Sequence, residues 1–187
     1  MKIYIVRHGQ DDDSVRGGWS NTPLTEQGIE QAQCLAKEIH NNYHKYNIGI
    51  IYSSDLLRAR QTAEIISSEL ENVDVVFKEE LREVNNGILS GMKNEITESL
   101  YPNLYWRNLE WEESYPDGES PKEFYNRVSE YFDTFIKQIK SYDKNILIVT
   151  HGGVINIIKS IINNEEYSNK SKYQGVQSCK LDYVVEV

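Results

Sequence analysis

Short apolar runs alternate along this chain with amphipathic stretches of helical period. Ile3, Tyr4, Ile5 and Val6 form a run too short for a helix and fitted to a buried strand. Residues 10–23, rich in Asp, Ser, Gly and Asn, read as a loop. Thr25 is a natural N-cap, and Leu24 and Ile29 are spaced to staple a helix start. Ile29, Ala32, Leu35, Ala36, Ile39 and Tyr43 recur at helical spacing, so that helix lays one face on a sheet. Ile48, Ile50, Ile51 and Tyr52 predict a second strand. Ser54 is placed to cap the helix that carries Leu57, Ala63, Ile66 and Leu70. Val73, Val75, Val76 and Phe77 predict a third strand.

The clearest helix start is Ser120, Pro121 and Glu123: Ser at the cap, Pro in the first turn and Glu completing a capping box. Phe124, Val128, Phe132, Phe135 and Ile139 continue its apolar stripe. Ile146, Leu147, Ile148, Val149 and Thr150 predict another buried strand. A helix opened by Gly152 and Gly153 follows, with Val154, Ile158, Ile161 and Ile162 on its apolar side. Residues 181–187 read as a last strand. Strands alternating with helices define an α/β fold with a mostly parallel sheet. No repeat, low-complexity tract or linker interrupts it, so residues 1–187 read as a single domain.

Composition narrows the picture. The length of 187 residues suits one domain with a substantial core. The net charge of −9 opposes nucleic acid and anionic lipid, yet leaves room for an anionic small substrate held by a few focused arginines. No apolar run reaches the roughly 20 residues needed to span a membrane, and the N-terminal residues lack an apolar signal segment. A cytoplasmic protein is expected. Cys34 and Cys179 are too few for a disulfide framework and read as reduced thiols, Cys34 as a small buried helix residue. The Lys-, Asn- and Ile-rich composition suits an AT-rich bacterium.

The chemistry sits where the apolar runs stop. The first strand runs into Arg7, His8, Gly9 and Gln10, and the later one into His151, Gly152 and Gly153. A cation, an imidazole and a glycine at the C-terminal end of a strand serve no packing purpose, and that rim is where open α/β sheets bind ligands. Two such ends suggest one site with two imidazoles. Further candidates follow the second strand, from Ser53, Ser54 and Asp55 to Arg58, Arg60 and Thr62, and lie in Leu81, Arg82 and Glu83 before Gly87. Arginines can clamp phosphoryl oxygens bidentately where lysine cannot. Asp11, Asp12 and Asp13 read as a solvated loop rather than metal ligands, Arg60 as a solvated or salt-bridged helix residue, and His40 and His44 as surface residues at a frayed helix end.

Taken together, these segments resemble the histidine phosphatase superfamily, also called the phosphoglycerate mutase-like family. The resemblance extends over Asn21-Thr22-Pro23-Leu24-Thr25-Glu26-Gln27-Gly28 and Tyr115-Pro116-Asp117-Gly118-Glu119-Ser120, in the family's order. It implies a three-layer α/β/α sandwich and a metal-independent phosphomonoesterase. His8 would be the nucleophile that forms a phosphohistidine, its other ring nitrogen held by a backbone carbonyl. Arg7, Arg58 and His151 would stabilise the phosphoryl oxygens, and Glu83 would serve as general acid and then base. Gly9, Gln10, Ser14 and Gly152 would complete the phosphate shell. It further implies no cofactor, a phosphorylated small molecule or phosphoprotein as partner, a monomer or homodimer, and a cap over residues 92–118, where Tyr101, Tyr105, Trp106, Trp111 and Tyr115 cluster.

The chain departs from the family at two places. Asp11 and Ser14 stand where many relatives carry Ser or Thr and Asn. Asp11 would repel phosphate unless it turned away or paired with Arg16. Mutases place an Arg after the acid, whereas Val84, Asn85, Asn86 and Gly87 follow Glu83, and the next segment carries Glu110, Glu112 and Glu113. These features favour a phosphatase. A phosphoglycerate mutase, a non-catalytic phosphate binder and a metal-dependent phosphatase built on the Asp run are the alternatives, although Gly17-Gly18-Trp19 resembles a mutase segment.

Overall fold

The structure, a computed structural model, describes residues 1–139, 142–171 and 176–186. Five strands, β1 (Lys2–Arg7), β2 (Ile48–Ser54), β3 (Asp74–Lys78), β4 (Asn145–Thr150) and β5 (Asp182–Glu186), form one sheet in the order β3-β2-β4-β1-β5. All neighbours pair in parallel except β5, which runs antiparallel to β1 at one edge. The mostly parallel α/β architecture read from the sequence is the one observed. Of the expected last strand, Val187 lies outside the described residues.

Strand alternation sends successive side chains to opposite faces. Tyr4, Val6, Leu147 and Val149 enter one apolar cluster with Leu35, Ala36 and Ile39 of α1 (Glu26–Asn41) and Ala63 and Ile66 of α3 (Leu57–Ser68). Ile3, Ile5, Ile146 and Ile148 enter a second with Phe124, Val128 and Phe132 of α5 (Pro121–Gln138) and Val154 and Ile158 of α6 (Gly152–Asn163). The sheet is therefore the middle layer of three. The short helices α2 (Tyr43–Tyr46) and α4 (Asn94–Leu100) decorate it.

Local signals are mostly realised. Thr25 caps α1 by accepting from the Gly28 amide at 3.1 Å, and the Ser120–Glu123 capping box opens α5 with Pro121 in the first turn. Three expectations fail. Ile29 and Tyr43, assigned to the buried stripe of α1, are exposed, and Tyr43 lies in α2. Gly28 takes the inward place, because α1 begins so close to the end of β1 that a side-chain carbon on Gly9 or on Gly28 would overlap backbone of the other segment. Cys34 is exposed, since it falls between the inward positions Ala32, Leu35 and Ala36. Ser54 is not the N-cap of α3; Leu56 is, and the Ser54 hydroxyl serves the site described next.

Candidate active site

The in-register parallel pairing of β1 with β4 sets Arg7 beside Thr150, and the His8 amide continues the ladder by donating to the Thr150 carbonyl at 3.0 Å. Two sequence segments far apart thus deliver His8 and His151 to one spot, with ring centroids 5.0 Å apart. Arg58 arrives from the first turn of α3, which leaves the neighbouring strand β2. His8, Arg58 and His151 are only 3%, 2% and 1% exposed, so their interactions act where water screens little.

Hydrogen bonds fix the state of His8. Its Nδ1 lies 2.6 Å from the Gly9 carbonyl, which can only accept, so Nδ1 carries the proton. Its Nε2 accepts from Arg58 Nε at 3.1 Å. The expectation that a backbone carbonyl sets the tautomer holds, and the lone pair stands on Nε2. Burial, then the charges of Arg58 and Arg7, hold His8 well below the usual histidine range.

Arg58 is itself held by the loop after β1. Its Nη1 donates to the Ser20 carbonyl at 3.1 Å and Nη2 to the Gly18 carbonyl at 2.8 Å. Gly18 has φ +56°, and a side chain there would collide with Asn86. Arg7 Nη1 donates to the Val176 carbonyl at 3.1 Å, while its Nε is buried with no hydrogen-bond partner among the described residues. His151 Nε2 lies 2.8 Å from Ser54 Oγ, and its Nδ1 is buried without a partner among those residues. Burial, then the charge of Arg58, keeps His151 well below its ordinary value too. Two partnerless polar nitrogens beside a buried imidazole and guanidinium make a socket for an anion with several acceptors.

Glu83 is placed by the backbone on either side. Its Oε2 accepts from the Gly153 amide at 3.0 Å and its Oε1 from the Val84 amide at 3.1 Å. A side-chain carbon on Gly153 would overlap Oε1, so glycine makes room for the carboxylate. The start of α6 thus serves Glu83 through Gly153, while Gly152 is buried in the first turn. A cavity of about 520 Å³ opens beside Glu83 and Gly153, walled by Trp106, Phe124, Asn156 and Tyr167.

The outer shell differs from expectation. Gln10 is engaged through its backbone, its amide donating to Gln31 Oε1 at 2.9 Å and its carbonyl accepting from the Thr25 amide at 2.9 Å. Ser14 is exposed, with its amide on Asp12 Oδ1 and its carbonyl on the Asn94 amide, so it ties the loop to α4. Asp11 pairs with Arg58 at 3.4 Å rather than with Arg16, whose partner is Glu98 at 2.5 Å. Among the described residues no group of three or more His, Cys, Asp or Glu could hold a metal ion. Trp19, noted in the sequence only as part of a mutase-like segment, donates its Nε1 to the Glu83 carbonyl at 2.7 Å, and Arg127, which the sequence did not single out, donates to the same carbonyl at 3.1 Å. Nothing local signalled either link to Glu83.

Fold and site define an α/β protein with an anion socket of two imidazoles and two guanidiniums beside a positioned carboxylate. The family model "Histidine phosphatase superfamily (branch 1)" matches residues 3–184, and the chain belongs to that superfamily. It is an enzyme acting on phosphate monoesters. It is 30% identical over 156 residues to phosphoserine phosphatase 1 of Hydrogenobacter thermophilus, covering 81% of this chain and 71% of that one. It is 27% identical to the 2,3-bisphosphoglycerate-dependent phosphoglycerate mutase of Methanosarcina acetivorans, covering 88% and 84%. The crystal structure of the alpha-ribazole phosphatase from Shigella flexneri superposes with a TM-score of 0.81 at 28% identity, covering 98% of this chain and 89% of that one.

Proposed function

We propose that this chain is a metal-independent phosphomonoesterase that works through a covalent phosphohistidine on His8. The observation that carries the reading is the neutral His8, with Nδ1 fixed by the Gly9 carbonyl and Nε2 facing Arg58. A phosphoryl group entering the socket draws the Arg58 Nε–H to one of its oxygens and so frees the Nε2 lone pair for in-line attack. Arg7 Nε offers a further donor. With the Ser54 hydroxyl proton turned to His151 Nε2, Nδ1 of that ring carries a proton for an equatorial oxygen as charge gathers there. Glu83 protonates the departing oxygen. It then takes a proton from the water that attacks phosphorus, releasing phosphate and restoring His8.

The leaving group occupies the cavity beside Glu83, roofed by the cap around residues 92–118. A small phosphorylated metabolite of a cytoplasmic, bacterial setting is the substrate class this reading favours, with no nucleic-acid or membrane partner. No helix among the described residues is long and apolar enough to cross a membrane. A mutase is the second reading, favoured by the Trp19 segment that grips Glu83 and by the mutase relative. Against it, Val84, Asn85, Asn86 and Gly87 place no arginine directly after Glu83, although Arg107 and Lys159 line the cavity.

The test is hydrolysis of p-nitrophenyl phosphate in EDTA by wild type and His8→Ala, with trapping of an acid-labile phosphoenzyme. The variant should lose on the order of 10⁴-fold or more in turnover and all trapped phosphate. In kcat/KM, the part of the acidic limb that reports His8 should lie below the ordinary histidine range. Loss of activity in EDTA, or a phosphoenzyme that survives His8→Ala, would refute the reading. Phosphoryl transfer to 3-phosphoglycerate that depends on a bisphosphate primer would turn it toward the mutase.

A further inference from the structure

We propose that Arg127, anchored by Glu119, is a positioning residue that sets the place of Glu83. The inference rests on the reading of Glu83 as the leaving-group acid. Glu83 lies in no regular element: the 3-10 turn Glu79–Leu81 ends before it, and Arg82 is extended. Neither a helix nor a strand ladder holds its backbone, yet a general acid must sit within hydrogen-bond reach of one oxygen.

Trp19 holds the Glu83 carbonyl from one side, and a side chain from α5 spans the rest of the segment. Arg127 Nη1 donates to the carbonyls of Glu80 at 2.9 Å and Arg82 at 3.1 Å, and Nη2 to the Glu83 carbonyl at 3.1 Å. The same guanidinium makes a bidentate pair with Glu119, Nε to Oε1 at 2.7 Å and Nη2 to Oε2 at 2.9 Å. Glu119 in turn grips the far side of the loop. Its Oε2 accepts from the Asn85 amide at 2.8 Å, and its own amide donates to the Asn85 carbonyl at 2.7 Å. The backbone is clamped before, at and after Glu83. Both side chains are mostly buried, at 20% and 16% exposure, and a planar fork meeting this many acceptors is a task lysine cannot perform.

Arg127 also lends its charge to the surroundings of His151. A purely electrostatic role would survive Arg127→Lys, whereas a positioning role would not.

The experiment compares Glu83→Gln, Arg127→Gln, Arg127→Lys and the Glu83→Gln/Arg127→Gln pair on phosphate esters running from p-nitrophenyl through phenyl to an alkyl alcohol. Good leaving groups need little proton assistance, so Arg127→Gln should cost about 10-fold in kcat/KM, which reports phosphoenzyme formation, on the first and about 100-fold or more on the last. Arg127→Lys should resemble it. In the Glu83→Gln background, loss of Arg127 should change kcat/KM by less than about twofold, because both changes remove one function. Equal losses across leaving groups, additive losses in the pair, or rescue by lysine would overturn the proposal while Glu83→Gln keeps its own leaving-group dependence. A flat loss in Glu83→Gln would instead overturn the acid reading, and this inference with it. Should Arg127→Gln fail to melt cooperatively, Glu119→Gln, which keeps the shape of the anchor, carries the same test with a smaller loss.

Discussion

The phosphoryl end and the leaving-group side of the proposed site are built by opposite means. At the phosphoryl end, His8 and His151 stand at the ends of paired strands and Arg58 in the first turn of a helix, all almost wholly buried. On the leaving-group side, residues 101–118 and 165–171 meet loop to loop. There Asn169 donates to the Trp106 and Leu109 carbonyls at 2.8 and 3.0 Å, and Lys170 pairs with Glu110 at 2.6 Å. The first arrangement fixes a constant chemistry on the least deformable part of the fold. The second surrounds a variable alcohol with parts that can change without touching the sheet. Glu83 belongs to both, since its carboxylate touches the start of α6 while its backbone hangs on Arg127 and Trp19.

The sharpest way to break this division is at the junction. In Gly153→Ala the new methyl would displace the Glu83 carboxylate and press on the Phe124 ring about 3.0 Å away. The carboxylate is the far end of a rotatable side chain, so the fold should absorb the change, helped by the better helix propensity of alanine. Catalysis should not, because a displacement near 1 Å costs about 100-fold. Assays of kcat alongside thermal melting should show a large loss at nearly unchanged stability, steepest for poor leaving groups. A cooperative loss of stability with kcat retained would mean that Glu83 does not need this seat.

A smaller effect is expected from Asp11, the acidic exception within the basic phosphoryl end. Its carboxylate lies 3.4 Å from Arg58 Nε, the same donor that His8 uses. Burial raises the Asp11 carboxyl above its ordinary range, and Arg58 and Arg7 pull it back toward ionisation. An ionised Asp11 competes with the phosphoryl dianion for Arg58, so Asp11→Asn should tighten inhibition by orthophosphate. A gain of about 1 kcal/mol, roughly fivefold in the inhibition constant, is the expected scale for relieving one partly buried like charge. The measurement is product inhibition at low salt. An unchanged or weakened constant would show that Asp11 withdraws as phosphate enters.

The same division explains which parts of the site were legible in the sequence. Apolar runs ending in Arg7-His8 and in His151 announced both strand ends, because period and abrupt polarity are local properties. The capping box of α5 was legible for the same reason. Long-range pairings were not. Nothing near Asp11 says that Arg58 rather than Arg16 is its partner, since both are arginines within reach of the same loop. Arg127 is one more polar position on an amphipathic helix until the fold carries Glu80 and Glu83 against it. Ser54, suitably placed to cap α3, accepts from the Leu56 amide and meets His151 at the start of α6 instead.

The smallest expected effect lies in the roof. Asn169 is 6% exposed, and its one amide nitrogen serves the Trp106 and Leu109 carbonyls, which join the two loops over the cavity. Asn169→Ala removes both donors and leaves the carbonyl of Leu109, a residue only 1% exposed, without its partner, at a cost of about 1–3 kcal/mol of stability. Trp106 lines the cavity and stacks on Tyr115 with ring centroids 6.1 Å apart. Loosening its backbone should therefore raise KM for bulky esters by a few-fold. The orthophosphate inhibition constant should not move, because the socket of His8, Arg58 and His151 shares no hydrogen bond with Asn169. A KM increase that was the same for bulky and compact esters, accompanied by weaker orthophosphate binding, would show that the roof and the phosphoryl end are coupled and that the two regions cannot vary apart.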